Sequence, residues 1–174
     1  MQVRWLIPVG VGAASVVQVA HATQYLTVEQ AQRAAYPQAT AFVSVRADFD
    51  PATVGAPAAW SPHVWQARKG DESLGWFFAD AVIGKSELIN YSLSVDVHCA
   101  VTALEVLEYR EAHGGEVRLA PWRKQFVGKT SHDPVTLSQD IKNISGATLS
   151  CRHLTEGVRR LLKLHERVLA KAAE

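Results

Sequence analysis

The chain has 174 residues, 48% hydrophobic and 20% charged, which reads as one soluble globular domain with a real core. The formal net charge is +1, so no basic field points to nucleic acid, and none is expected as a partner. There is no internal repeat and no low-complexity tract.

The first 22 residues have the pattern of an export signal. Arg4 forms a short positive region, Trp5 to Ala20 is uncharged and largely apolar, and Ala20-His21-Ala22 fits the small-x-small cleavage pattern. The mature chain is then expected to begin at Thr23, in a periplasmic or otherwise extracytoplasmic space. A retained segment would instead leave it membrane-anchored. The stretch is short for a membrane span, and Pro8, Gly10 and Gly12 weaken it as an anchor helix. Removing Arg4 leaves basic and acidic residues in equal number. The two cysteines, Cys99 and Cys151, are no disulfide framework; one disulfide and two free thiols are the alternatives, with free thiols expected.

Residues 23–64 are read as a helix, a strand and a loop. Thr27 with Gln30 makes a capping box, and Val28, Ala31, Ala34 and Ala35 share a face, predicting a helix over about 28–36 that Pro37 ends. Alternation at Val43, Val45, Ala47 and Phe49 predicts a strand. Pro51, Gly55, Pro57 and Pro62 make 50–63 a loop.

Residues 65–174 are read as the main domain. "VWQAR" and "LGWFFADAVIG" flank the hairpin-like turn "KGDES", and "LINYSLSV" and "VTALEVLEY" flank "DVHCA". The second pair is read as two strands, since one unbroken strand would be unusually long. That places Cys99 in a turn, at least partly exposed. "REAHGGEVR" and "APWRKQFVGKTSHDP" are loop-rich with short ordered pieces. Leu154, Val158, Leu161, Leu162, His165, Val168 and Leu169 share one face of a helix over about 149–171. The expected class is α+β: a mainly antiparallel twisted sheet with a short N-terminal helix and a long C-terminal helix.

Familiar catalytic signatures are missing. There is no HxxxH pair, no Cys–His cluster at zinc spacing, no G-x-S-x-G elbow and no P-loop. The distinctive stretch is Ser145-Gly146-Ala147-Thr148, directly before the last helix. Helix N-termini expose unpaired N–H groups and the positive end of the dipole, so they bind phosphate. Gly146 and Ala147 leave room for an anion to approach the backbone, and Thr148 and Ser150 add hydroxyls. The plain alternative is an N-cap and nothing more.

"SGATLS" leading into an amphipathic C-terminal helix resembles the FMN-binding domain family, which includes flavoprotein subunits of the sodium-translocating NADH:quinone oxidoreductase and of Rnf-type electron-transport complexes. The resemblance extends through "LGWFFADAVIGKSELINYS", "EVLEYREAHGGEV" and "PWRKQFVGKT" and covers about residues 65–165. It implies an exported flavoprotein whose cofactor is FMN, joined through its phosphate to Thr148 by an FAD-dependent flavin transferase. It also implies an electron carrier exchanging with a membrane redox protein rather than a substrate-converting enzyme. Ser145, Gly146, Ala147, Leu149 and Ser150 are the implied neighbours of the phosphate. Glu111, Gly114 and Gly115 match a Glu-and-Gly segment that lies near the flavin in the family, and Trp122 and Phe126 are either ring-covering or core residues. The motif departs at one position: six residues before Thr148, where the family has Asp, stands Lys142, with Asp140 and Asn143 close by. Two other readings stay open: a noncovalent FMN-binding module, and a non-redox interaction domain in which the motif only caps a helix.

Overall fold

The computed structural model describes residues 23–169. The export segment predicted over 1–22, and the part of the predicted last helix beyond 169, lie outside the described residues. The chain runs β1 (Thr23–Gln24), α1 (Val28–Ala35), β2 (Ala41–Val45), β3 (His63–Lys69), β4 (Glu72–Ile83), β5 (Leu88–Val95), β6 (Val101–Tyr109), α2 (Ala120–Arg123) and α3 (Thr148–Leu164). A π-helical turn, His165–Leu169, extends α3, and short 3-10 turns occupy 51–54, 115–118 and 124–126.

The six strands form one antiparallel sheet in the order β1-β6-β5-β4-β3-β2. This is the expected α+β class. The strand "LGWFFADAVIG" is apolar on both faces because both faces are covered. Trp76, Phe78 and Val82 pack with Leu154, Val158 and Leu161 of α3, while Phe77 and Ala79 pack with Ala31 and Tyr36 on the α1 side. A half-solvated strand would alternate instead.

The capping box holds α1: Thr27 Oγ1 accepts from the Gln30 N–H, and Gln30 Oε1 accepts from the Thr27 N–H at 2.8 Å. β2 is shorter than its alternation predicts. Its ladder with β3 ends at Val45↔Val64, next to Pro62, which has no N–H to donate. Ala47 and Phe49 still reach the core from the loop, Phe49 meeting Trp60 edge-on at 5.8 Å. The 96–100 turn separates β5 and β6, and Cys99 there is half-buried with φ 67°. Cys99 and the buried Cys151 are both free thiols. Among the described residues no helix is long and apolar enough to cross a membrane, and no cluster of metal-ligating side chains occurs.

Candidate functional site

The small residues before α3 build a turn. The Ala147 N–H donates to the Ile144 carbonyl at 3.0 Å, with Gly146 third in the turn at φ 85°. That conformation requires glycine, although a side chain at Gly146 would meet nothing within 4 Å. The turn delivers Thr148 as the first residue of α3. No side chain caps this helix end, so its first N–H groups are left for a ligand or water. Thr148 is half-buried, and its Oγ1 accepts from Asn143 Nδ2 at 2.9 Å.

The helix end opens on a cleft of about 560 Å³. Its walls are Lys85 and Ser86 in the β4–β5 turn, Glu111 to His113 after β6, and Gly146 to Ser150. The volume suits a small-molecule site, and Ala112, Ala147 and Leu149 supply apolar wall.

Glu111 sets the shape of the β4–β5 turn. Its Oε1 accepts from the backbone N–H of Ser86 and of Glu87, the latter at 2.8 Å. Burial pushes this carboxyl up, but the N–H groups of Glu87, Ser86 and Lys85 and the Lys85 charge outweigh it and hold the group below its ordinary value. Gly84 is needed for the close approach: a Cβ there would stand 2.7 Å from Glu111 Oε1. His153 of α3 ties the helix to the same turn, its Nδ1 lying 2.9 Å from the Gly84 carbonyl. Gly114, at φ 87°, packs so closely that a Cβ would stand 2.9 Å from the Tyr109 hydroxyl and 3.1 Å from Ser150 Oγ.

The structure therefore brings Glu111, Gly146, Ala147, Thr148, Leu149 and Ser150 to one cleft, with Gly114 directly behind it. Ser145 sits exposed in the turn. Gly115 lines an adjoining cleft of about 290 Å³ that shares Glu111 and Ala112. Trp122 is not in the wall. It is 4% exposed, meets Phe126 edge-on at 5.1 Å and donates from Nε1 to the Lys142 carbonyl at 2.8 Å. Of the two roles open to Trp122 and Phe126, the structure gives both the core one.

Lys142 is exposed. Asp140 is turned elsewhere: it accepts from the N–H groups of Thr136 (2.7 Å) and Val135 (3.1 Å) and pairs with Lys129 Nζ at 3.0 Å. The residue beside Thr148 is Asn143. Lys85, Ser86, Ala112 and His113 were not singled out from the sequence as site residues, although "GKS" lies inside a stretch carrying the family resemblance.

A second cleft, of about 530 Å³, lies against α1 and the opposite sheet face. The capping box already satisfies that helix end, and Glu29 adds negative charge to its first turn, so it does not offer an anion site. The residues around Thr148 do fit a phosphate-bearing ligand: an uncapped helix end, a nearby Lys85 and a cleft of sufficient size.

Residues 84–163 match the family model of the FMN-binding domain. Every residue lining the Thr148 cleft falls inside that match. No curated protein matches the chain.

Proposed function

Because residues 84–163 form an FMN-binding domain, we propose that the chain is an exported flavoprotein that carries FMN on Thr148 through a phosphoester and shuttles electrons. The observation that carries this reading is the Thr148 hydroxyl on the uncapped first turn of α3, inside the cleft. When bound, FMN supplies the redox chemistry. The chain's own residues would hold and orient it: the uncapped first-turn N–H groups would bind its phosphate, Lys85 adds positive charge to the wall, and Glu111 fixes the turn bearing Lys85.

Three ionisable or polar side chains at or near the cleft are committed to structure. Glu111 is held by backbone N–H groups, Tyr109 by His113 and Ser150, and His153 by the carbonyls of the β4–β5 turn. Attachment is made by an FAD-dependent flavin transferase, and a membrane redox protein is the electron donor or acceptor. The pattern of residues 1–22 supports export.

The test is coexpression with a flavin transferase, followed by intact mass and in-gel flavin fluorescence after denaturation. The wild type is expected to be fluorescent and Thr148→Val dark. Fluorescence that survives in Thr148→Val would put the attachment elsewhere. The exposed lysine at the family's acidic position, Lys142, favours one second reading, a noncovalent FMN module. A protein yellow when native and colourless after denaturation would establish that reading instead.

A further inference from the structure

We propose that Asn143 is the residue that positions the Thr148 hydroxyl for flavin attachment; this rests on the covalent reading above. The candidates around Thr148 are three. Lys142 is exposed, and its backbone is pinned on both sides: its N–H donates to Gln125 Oε1 at 2.8 Å and its carbonyl accepts from Trp122 Nε1 at 2.8 Å. Asp140 is spent on Val135, Thr136 and Lys129. Asn143 follows that pinned backbone, and the turn closed by Ile144 and Ala147 folds Thr148 back onto it. Its Nδ2 then donates to Oγ1 at 2.9 Å.

That contact has a chemical consequence. At the first position of a helix no preceding helical turn restricts Thr148, so its side chain can spread over more than one staggered rotamer. A donor outside the helix, holding Oγ1, selects one rotamer. One lone pair is then used, while the hydroxyl hydrogen and the second lone pair are free for the incoming phosphorus. An amide is neutral and is no base, so Asn143 orients and does not deprotonate. The base belongs to the transferase.

In the step, a bond forms between Thr148 Oγ1 and the flavin-side phosphorus of FAD, and the phosphoanhydride bond to AMP breaks. AMP leaves with the bonding electron pair, and the hydroxyl proton passes to the transferase base. Nothing is oxidised or reduced.

The experiment uses the full flavin-free protein with FAD and purified transferase, reading the initial rate of mass gain. Asn143→Ala is expected to slow attachment about tenfold, the scale of one lost hydrogen bond at a reacting atom. Its melting temperature and its affinity for added FMN should stay at the wild-type values. Asn143→Asp keeps the shape and accepts the hydroxyl hydrogen, and should recover most of the rate. Lys142→Ala should stay within about twofold of wild type. A second readout needs no flavin: three-bond couplings to the Thr148 methyl should report one rotamer in the wild type and averaging in Asn143→Ala.

A rate for Asn143→Ala equal to wild type, or an unchanged rotamer, overturns the proposal while leaving covalent attachment standing. A wild type that takes up no flavin mass but binds FMN reversibly overturns the covalent reading, and the positioning role with it.

Discussion

The hydroxyls of Tyr109 and Ser150 stand 3.0 Å apart, joining the end of β6 to the first turn of α3. The phenol donates its one hydrogen to the His113 carbonyl at 2.6 Å, so Ser150 is the donor between the two. This clasp fixes the width between the Glu111–His113 wall and the helix that carries Thr148. Burial pushes the Tyr109 phenol up, against the lowering effect of Ser150, so the clasp stays neutral through the physiological range.

Tyr109→Phe removes both bonds and leaves the Ser150 hydroxyl, 4% exposed, without its acceptor. The expected loss is about 2 kcal/mol in chemical denaturation. Ser150→Ala should cost about 1 kcal/mol or less, because Tyr109 keeps His113. The double variant should be little worse than Tyr109→Phe, since the two share one contact. Strict additivity would mean that the clasp does not exist in solution. Ser150→Ala should also keep covalent flavin, its hydroxyl being turned to Tyr109 rather than to the cleft.

Gly75 lies where β4 runs beside the end of β5, at φ 141°. A Cβ there would fall on the Val95 carbonyl and stand 2.9 Å from the Tyr36 hydroxyl. That hydroxyl lies 2.6 Å from the Val95 carbonyl and 2.8 Å from that of Trp76, a buried bridge from the end of α1 to two strands. Gly75→Ala is therefore expected to cost about 3 kcal/mol or more, through both backbone strain and the broken bridge. Tyr36→Phe, which keeps the volume, should cost about 1–2 kcal/mol. A Gly75→Ala protein of wild-type stability would show that the strands part more easily than this packing implies.

Much of this arrangement is legible in the sequence, for local reasons. Thr27 and Gln30 sit three apart and cap their own helix. Alternation runs unbroken through Leu93, Val95, Val97, Cys99 and Val101, so two strands with a turn at 96–100 follow from strand length and not from the pattern. The α3 face follows from its leucine spacing. What was not legible is long-range. β1 is two residues long and is a strand only because Tyr109 and Glu108 lie alongside it. Lys85 and Ser86 reach the cleft because Glu111, 24 and 25 residues away from the amides it binds, grips their turn. Trp122 is open to both readings, cofactor cover and the more common core role, since its indole N–H partner is a backbone carbonyl that no pattern marks.

His165 opens the π-helical turn after α3 and is 2% exposed. It lies edge-on to Trp76 at 5.7 Å and Phe78 at 6.3 Å, and neither ring nitrogen has a hydrogen-bond partner among the described residues. Burial lowers its pKa from 6.5 to about 4, with Asp96 opposing. The unfolded chain takes up this proton below pH 6.5, whereas the folded chain resists until about pH 4. Stability from this group is thus complete above pH 6.5 and is lost as pH falls toward 4, by about 3 kcal/mol in all. His165→Phe should lessen the fall in unfolding free energy over that window by a similar amount. The carboxylates with lowered values, Glu111 and Asp140 among them, contribute to both profiles alike and cancel in the comparison. Parallel pH profiles for wild type and variant would show that His165 is solvated.

Trp122 does not line the cleft, yet it holds the carbonyl of Lys142, from which the chain runs through Asn143 and the Gly146 turn to Thr148. Removing its N–H should loosen that segment at a distance. Trp122→Phe keeps an aromatic ring against Phe126 but gives up the bond at 2.8 Å, and is expected to lose about 1–2 kcal/mol of stability. If the segment relaxes by about 1 kcal/mol, affinity for added FMN should fall about fivefold. Phe126→Leu is the comparison. It removes buried aromatic surface from the same cluster, costs about 1–2 kcal/mol and leaves the Lys142 carbonyl held. Equal stability loss in the two variants, with FMN affinity lowered only in Trp122→Phe, assigns the effect to the bond. Affinity lowered equally in both would reduce Trp122 to a packing residue and place the rigidity of the Thr148 turn elsewhere.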